Sequence, residues 1–351
     1  MGPPPSAVQA LLTFLQQQPA ALVPPPYETE HPPHTGHKRF LSAYADHLGA
    51  HALAADMLAG QGVTGFLVIL AQFLRGQRTA IITPEYTETL ELFSYATFVA
   101  PADGRRDTAE QRLDRVLRAM RTHDYVLLSN PSNPYGHIID AESLVVACRK
   151  YPQCQLVLDE EYVEFAGPGR SLIGAEVDNL VILQSAGKTY GITGSRSGML
   201  WTRNTALRRQ IEAHLARKWP MSLLDVTLAI AALQDETWLE TVMPRLAKDA
   251  HRLENLLYDH FGDALAPGAQ AHFRFVTLDP ASGDADSIRR HMSRHGIKAR
   301  VFDGCLKGSQ AGMRLRAPCD EGGFTALEAA LNTMHWATWC DATTPERRDP
   351  A

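Results

Sequence analysis

Three stretches near the middle of the chain constrain its fold more than anything else: DYVLLSNP (124–131), QLVLDEEY (155–162) and NLVILQS (179–185). Each is a short run that is apolar throughout and stops at polar groups. A strand with one wet face alternates in character, whereas a strand covered on both faces does not. Segments of helical period lie between and before them, among them RRDTAEQRLDRVLRAM (105–120), with Asp107 or Thr108 as its cap, and DAESLVVACRKY (140–151). Further helices are expected in KRFLSAYADHLGA (38–50) and GVTGFLVILAQFL (62–74), and further strands in RTAIITP (78–84) and SYATFVAP (94–101). Strands alternating with helices predict an α/β fold with a mostly parallel sheet between helix layers.

The end of the chain reads differently. After helices at 204–218, 223–234 and 235–260, the order is strand (HFRFVTL), helix (ADSIRRHMSRHG), strand (IKARVF), strand (MRLRAP) and helix (FTALEAALNTMHWAT), a small α+β domain. Four parts are expected: an N-terminal arm at 1–36, a large domain at 37–235, a small domain at 236–342 and a mobile tail at 343–351. PSAVQALLTFLQQQ suggests a short amphipathic helix in the arm. VPPPYETEHPPH is too proline-rich for helix or central strand.

Composition excludes several functions. Of 351 residues 45% are apolar, enough for a large core, and the net charge of −5 is scattered. No basic stripe favours nucleic acid, and no apolar run is long enough to span a bilayer. The five cysteines, Cys148, Cys154, Cys305, Cys319 and Cys340, are odd in number and show no CxxC spacing, against a disulfide framework or structural zinc. The first residues lack the charge and apolar core of a secretory signal. A cytoplasmic protein is expected. Prolines lie between His31 and His34, so these two and His37 share no helical face and no metal site is expected.

In a parallel α/β sheet, ligands gather at the carboxyl ends of the strands. There this chain places Tyr86, Asn130 and Asn133, Asp159 and Tyr162, and Ser185 and Lys188. Each has an ordinary structural explanation, since Asn-Pro pairs make turns and strand-end acids cap loops. Their joint occurrence is the signal. Lys188 stands in SAGKTYGITGSRSG (185–198), among small residues and after an apolar strand. A lysine in an apolar, partly closed place loses hydration of its ammonium form and becomes a nucleophile able to form a Schiff base. An acid, an aromatic ring, an amide and a phenol nearby, with a glycine turn, a serine and an arginine for a phosphate, describe a pocket for pyridoxal 5′-phosphate.

Over residues 38–335 the chain resembles the fold-type I pyridoxal-phosphate enzymes of aminotransferase class I/II, and within them the histidinol-phosphate aminotransferases and threonine-phosphate decarboxylases. NPSNPYG is similar to their NPxNPTG turn, LDEEYVEF to DEAYxEF, SAGKTYGITGSRSG to S-x-x-K…G-x-R-x-G, and GMRLRAP to the segment carrying the carboxylate-binding arginine. The resemblance implies that Lys188 forms the Schiff base and shuttles protons, and that Asp159 keeps the pyridine nitrogen protonated. Asn133 and Tyr162 would bond the 3′-oxygen, and Tyr86 would stack on the ring. Ser185, Arg196 and the backbone N–H groups of Val63 and Thr64, after Gly62, would hold the phosphate. Arg314 would hold the substrate carboxylate, with Arg316 its rival two residues along the same strand face.

The implied reaction moves an amino group from an amino acid or amino-alcohol phosphate to a keto acid, 2-oxoglutarate first among candidates, in a homodimer. Decarboxylation, cyclisation or oxidation on the same scaffold are the alternatives, and a catalytically silent sensor domain is the non-enzyme reading. Three departures stand out. Tyr135 replaces a small hydroxyl residue. In the arm, relatives carry a tyrosine that reaches the partner subunit's cofactor phosphate. YETEHPPHTGH has none at that place, so His31 or His34 substitutes or the contact is absent. Glu161 stands where the family has a small residue, and reads as a solvated strand-end charge or as a specificity feature.

Overall fold

The computed structural model describes residues 2–17, 35–102, 107–215, 221–278, 285–308 and 310–333. The described helices are α1 (Pro5–Gln17), α2 (Thr35–His47), α3 (Gly62–Phe73), α4 (Thr87–Leu92), α5 (Ala109–Met120), α6 (Ala141–Lys150), α7 (Thr205–Leu215), α8 (Leu223–Leu233), α9 (Glu236–Phe261), α10 (Ala285–Arg294) and α11 (Glu321–Asn332). The strands are β1 (Met57–Gly60), β2 (Thr79–Ile82), β3 (Thr97–Val99), β4 (Tyr125–Ser129), β5 (Gln155–Asp159), β6 (Leu180–Ser185), β7 (Gly198–Trp201), β8 (Phe273–Thr277), β9 (Arg300–Phe302) and β10 (Gly312–Arg316). Among the described residues they form a sheet ordered β1-β7-β6-β5-β4-β2-β3 and a smaller sheet ordered β8-β10-β9. Pairs β2–β3 and β5–β6 are parallel, whereas β1 and β7 run antiparallel to their neighbours. The large sheet is the mostly parallel layer of an α/β fold, and the small sheet is antiparallel.

The chain divides into two compact units. The first comprises residues 1–79, 120–127 and 141–242. Its strands are dry on both faces: Leu156–Leu158, Leu180–Leu183 and Met199–Trp201 are all at most 2% exposed. That explains their unbroken apolar character. Helix α3 packs on β6 and β7, and α1 and α2 pack on α8. Helix α1 lies where the amphipathic segment of the arm was expected. His31, His34, Cys340 and the tail 343–351 lie outside the described residues. His37 Nε2 accepts a hydrogen bond from the Met221 N–H at 3.2 Å.

The second unit comprises residues 80–119, 128–140 and 243–351. One part holds the small sheet, packed by α9, α10 and α11 around Leu253, Leu257, Val276, Ile288, Met313 and Leu327. Helix α5 opens with a reciprocal cap: Thr108 N–H donates to Gln111 Oε1 at 3.0 Å and Gln111 N–H to Thr108 Oγ1 at 3.2 Å. Thr108 is thus the cap, and Asp107 instead pairs with Arg115 inside the protein.

Strands β1 and β7 were not expected from sequence. Each has four residues, all of them buried in β7 and all but Ala59 in β1. Such a stretch carries neither alternation nor enough length to separate it from a loop.

Candidate active site

In the first unit the strand register assembles a polar row. Asp159, the last residue of β5, pairs with Leu183 of β6. Two residues further on, Glu161 comes level with Ser185, and Ser185 Oγ donates to Glu161 Oε1 at 2.8 Å. Ser185 pairs in turn with Gly198 of β7, and Gly198 with Gly60 of β1. The row ends at the turn into α3. Gly62 there has φ +68°, a conformation that favours glycine. A Cβ on Gly198 would lie 2.6 Å from the Gly62 Cα, so the small residue of the S-R-S-G run is a packing requirement. The Arg196 guanidinium lies against the same turn, with Nη2 3.3 Å from where a Gly62 Cβ would stand.

Val63 and Thr64 therefore sit in the first turn of α3, whose N–H groups have no partner within the helix. A helix start, an arginine and a serine within one row form a cradle for an anion. Arg196 is exposed at its rim. The Arg196 N–H bonds the Asp225 carboxylate of α8, which anchors the loop. Lys188 is half-buried three residues beyond Ser185. Asp159 Oδ1 accepts the Glu161 N–H at 2.9 Å, which orients that carboxylate at its strand end. Tyr162 is buried.

Glu161 corrects the reading of a solvated charge. Its Oε2 is buried and has no hydrogen-bond partner among the described residues. Burial raises its pKa to about 7, against the opposing influence of Ser185, Lys188 and Arg196. The neighbouring Glu160 projects away from the row and is satisfied by Ser171 Oγ, Leu172 N–H and Gln184 Nε2. Burial likewise lifts it to about 7. Sequence reasoning missed Glu160.

The second unit holds the other expected residues. Asn133 Oδ1 accepts from Arg314 Nη1 at 2.7 Å, and the Arg314 guanidinium lies 4.8 Å from the centre of the Phe273 ring. Arg316, its rival, is exposed. The Asn133 N–H donates to Ser129 Oγ at 2.9 Å. Ser129 donates from Oγ and from N to Glu85, each at 2.6 Å. Glu85 also accepts from the Tyr86 N–H at 2.8 Å and from Arg112 Nη2 at 3.2 Å. A chain of bonds, buried as far as Asn133, therefore runs from Arg112 through Glu85 and Ser129 to Asn133 and on to the half-buried Arg314, and Tyr86 is tied to it. Burial pushes Glu85 up and Arg112 down from their ordinary values. The only clue to this network in the sequence was an acid directly before Tyr86. Tyr135 is buried with its ring on His137, 5.5 Å between centres.

Residues 3–305 match the family aminotransferase class I and II, and the chain belongs to that family. It is 29% identical over 263 residues to a histidinol-phosphate aminotransferase of Roseobacter denitrificans, covering 72% of this chain and 70% of the relative. It is 26% identical over 280 residues to a threonine-phosphate decarboxylase of Pseudomonas aeruginosa, covering 79% and 78%. A solved histidinol-phosphate aminotransferase of Sinorhizobium meliloti, in complex with pyridoxal-5′-phosphate, superposes with a TM-score of 0.73 at 26% identity, covering 94% and 86%. One from Clostridium acetobutylicum reaches 0.76 at 18% identity, covering 95% and 98%, a likeness of fold. The chain is an aminotransferase of fold type I.

Proposed function

We propose that this enzyme moves an amino group from an amino acid or amino-alcohol phosphate to a keto acid, 2-oxoglutarate first among candidates, and that it acts as a cytoplasmic homodimer. The observation that carries this is the row at the ends of β5, β6 and β7, which brings Asp159, Ser185 and the Gly62 turn together. Pyridoxal 5′-phosphate is the cofactor of this family, and the row fits it: a glycine turn opens a helix, a serine and an arginine flank it, and a lysine follows. When bound, the cofactor supplies an aldehyde that condenses with amines and an electron-poor ring that draws electrons from the substrate Cα.

The chain's own residues do the rest. Lys188 Nζ would take the proton from the substrate Cα and return it to the cofactor carbon on the other side of the transferred nitrogen. Asp159 holds a proton on the ring nitrogen. Asn133 and Tyr162 bond the ring oxygen, and Tyr86 covers the ring face. Ser185, Arg196 and the N–H groups of Val63 and Thr64 hold the phosphate. Arg314, pre-oriented by Asn133, binds the substrate carboxylate through its two-pronged guanidinium. The proposed parts of the chain are an arm at 1–36, a large domain at 37–235 and a small domain at 236–342.

The test supplies the purified enzyme with histidinol phosphate, with threonine phosphate and with unphosphorylated amino acids, each with 2-oxoglutarate. Glutamate formed from one donor supports the reading. Carbon dioxide without glutamate from threonine phosphate would move the assignment to a decarboxylase, the activity named for the Pseudomonas relative. No turnover of any amine would leave the silent sensor.

A further inference from the structure

Glu161 has no place in the reaction just described, yet it lies inside the anion cradle. Its Oε1 accepts a hydrogen bond from Ser185 Oγ at 2.8 Å, and Ser185 Oγ in turn accepts the Gly187 N–H at 3.2 Å. Its Oε2 is buried and unpaired. A buried acceptor without a donor is costly unless another group completes it. The charged and titratable groups facing it come from every side. Lys188 and Arg196 attract its charge, Glu164 on the following turn repels it, and Tyr44 of α2 lies within its field. Glu164 is itself held by His47 Nε2 at 2.6 Å.

From this geometry we propose that Glu161 is a proton-linked occupant of the phosphate cradle: ionised, it competes with the cofactor phosphate for Ser185 and Arg196, and protonated, it donates a hydrogen bond to that phosphate. The proposal rests on the assignment of Ser185, Arg196 and the α3 start as the phosphate site.

Beside the buried Ser185 and Glu161 Oε2, two anions repel each other, so binding favours the state in which one of them is neutral. The carboxyl is already poised for this, because burial brings its titration to about 7. Phosphate arrival then draws one proton from solution wherever Glu161 was ionised. The chain would load its cofactor more tightly at or below neutral pH than above it. A small side chain at this position would give no such dependence.

The experiment uses the full chain stripped of cofactor and pyridoxine 5′-phosphate, which carries the phosphate and ring but cannot condense with Lys188. Affinity and proton uptake are measured by titration calorimetry from pH 6 to 9, in two buffers of different ionisation enthalpy. The wild type should take up about one proton per ligand at pH 8, and its affinity should fall about tenfold per pH unit above about 7. Glu161→Gln and Glu161→Ala should bind with no proton uptake there, and more tightly than wild type at pH 8.5. Equal proton uptake in wild type and both variants would overturn the proposal while leaving the phosphate site standing. Binding unaffected by Arg196→Ala would instead overturn the phosphate-site assignment itself. Should one variant fail to fold, the other still decides, since Gln keeps the shape without the charge and Ala removes the side chain's polar atoms.

Discussion

Glu85 and Glu161 are both carboxylates drawn out of water, in different units of the chain, and they are treated in opposite ways. Glu85 accepts from Tyr86, Arg112 and twice from Ser129. Glu161 has Ser185 on one oxygen and no partner among the described residues on the other. A saturated buried acid makes a rigid frame, whereas an unsaturated one keeps capacity for a ligand. Glu85 thus positions Tyr86 and Asn133, and Glu161 lies beside Ser185 in the proposed anion cradle.

The comparison breaks most visibly at Arg112. Removing one partner of a fully buried pair leaves the other charge stranded, so Arg112→Met should cost about 3–5 kcal/mol in chemical denaturation. A loss below about 1 kcal/mol would mean that the Glu85 network is not the frame described.

At the far end of the same network, Arg314→Ala should lower kcat/KM about 100-fold, roughly 2.7 kcal/mol. Exposed Arg316→Ala should change it less than about threefold, roughly 0.6 kcal/mol. The reverse order would hand the carboxylate to Arg316.

His137 tests the frame from the cationic side. It is buried, neither ring nitrogen has a partner among the described residues, and burial with Arg112 and Arg115 lowers its pKa to about 3. A depressed folded value means that the stability is complete above the unfolded value of about 6.5 and is lost as pH falls towards 3. Thermal unfolding should show the wild type losing about 2 kcal/mol from this group between pH 7.5 and 5. His137→Phe should flatten that limb.

Glu161 should act with the opposite sign. Its folded value, about 7, lies above the unfolded one, so its contribution is complete below about 4.5 and is lost as pH rises through 7. Glu161→Gln should therefore stabilise the cofactor-free protein at pH 8, by up to about 3 kcal/mol, and change it far less at pH 5. Destabilisation at pH 8 would make Glu161 a structural acid like Glu85.

Much of this was legible beforehand because it is local. Unbroken apolar runs ending in Asn, Asp and Ser announce buried strands with a site at their ends, and α3, β5 and β6 fall where those patterns lie. Register is not local. Nothing in the string says that Asp159 pairs with Leu183, and that pairing sets Glu161 beside Ser185, with its Oε2 buried. A two-residue spacing from Asp159 was the available hint, since alternate strand residues share a face. The Glu85–Arg112 pair is likewise a contact across 27 residues that no periodicity reveals.

The central claim is that Lys188 is the amine that joins the cofactor. The direct test is borohydride reduction of the full chain loaded with pyridoxal 5′-phosphate, followed by peptide mapping. The account predicts a pyridoxyl mass on the peptide containing Lys188 and none in Lys188→Ala. A label on another lysine, or undiminished label in the variant, would contradict it.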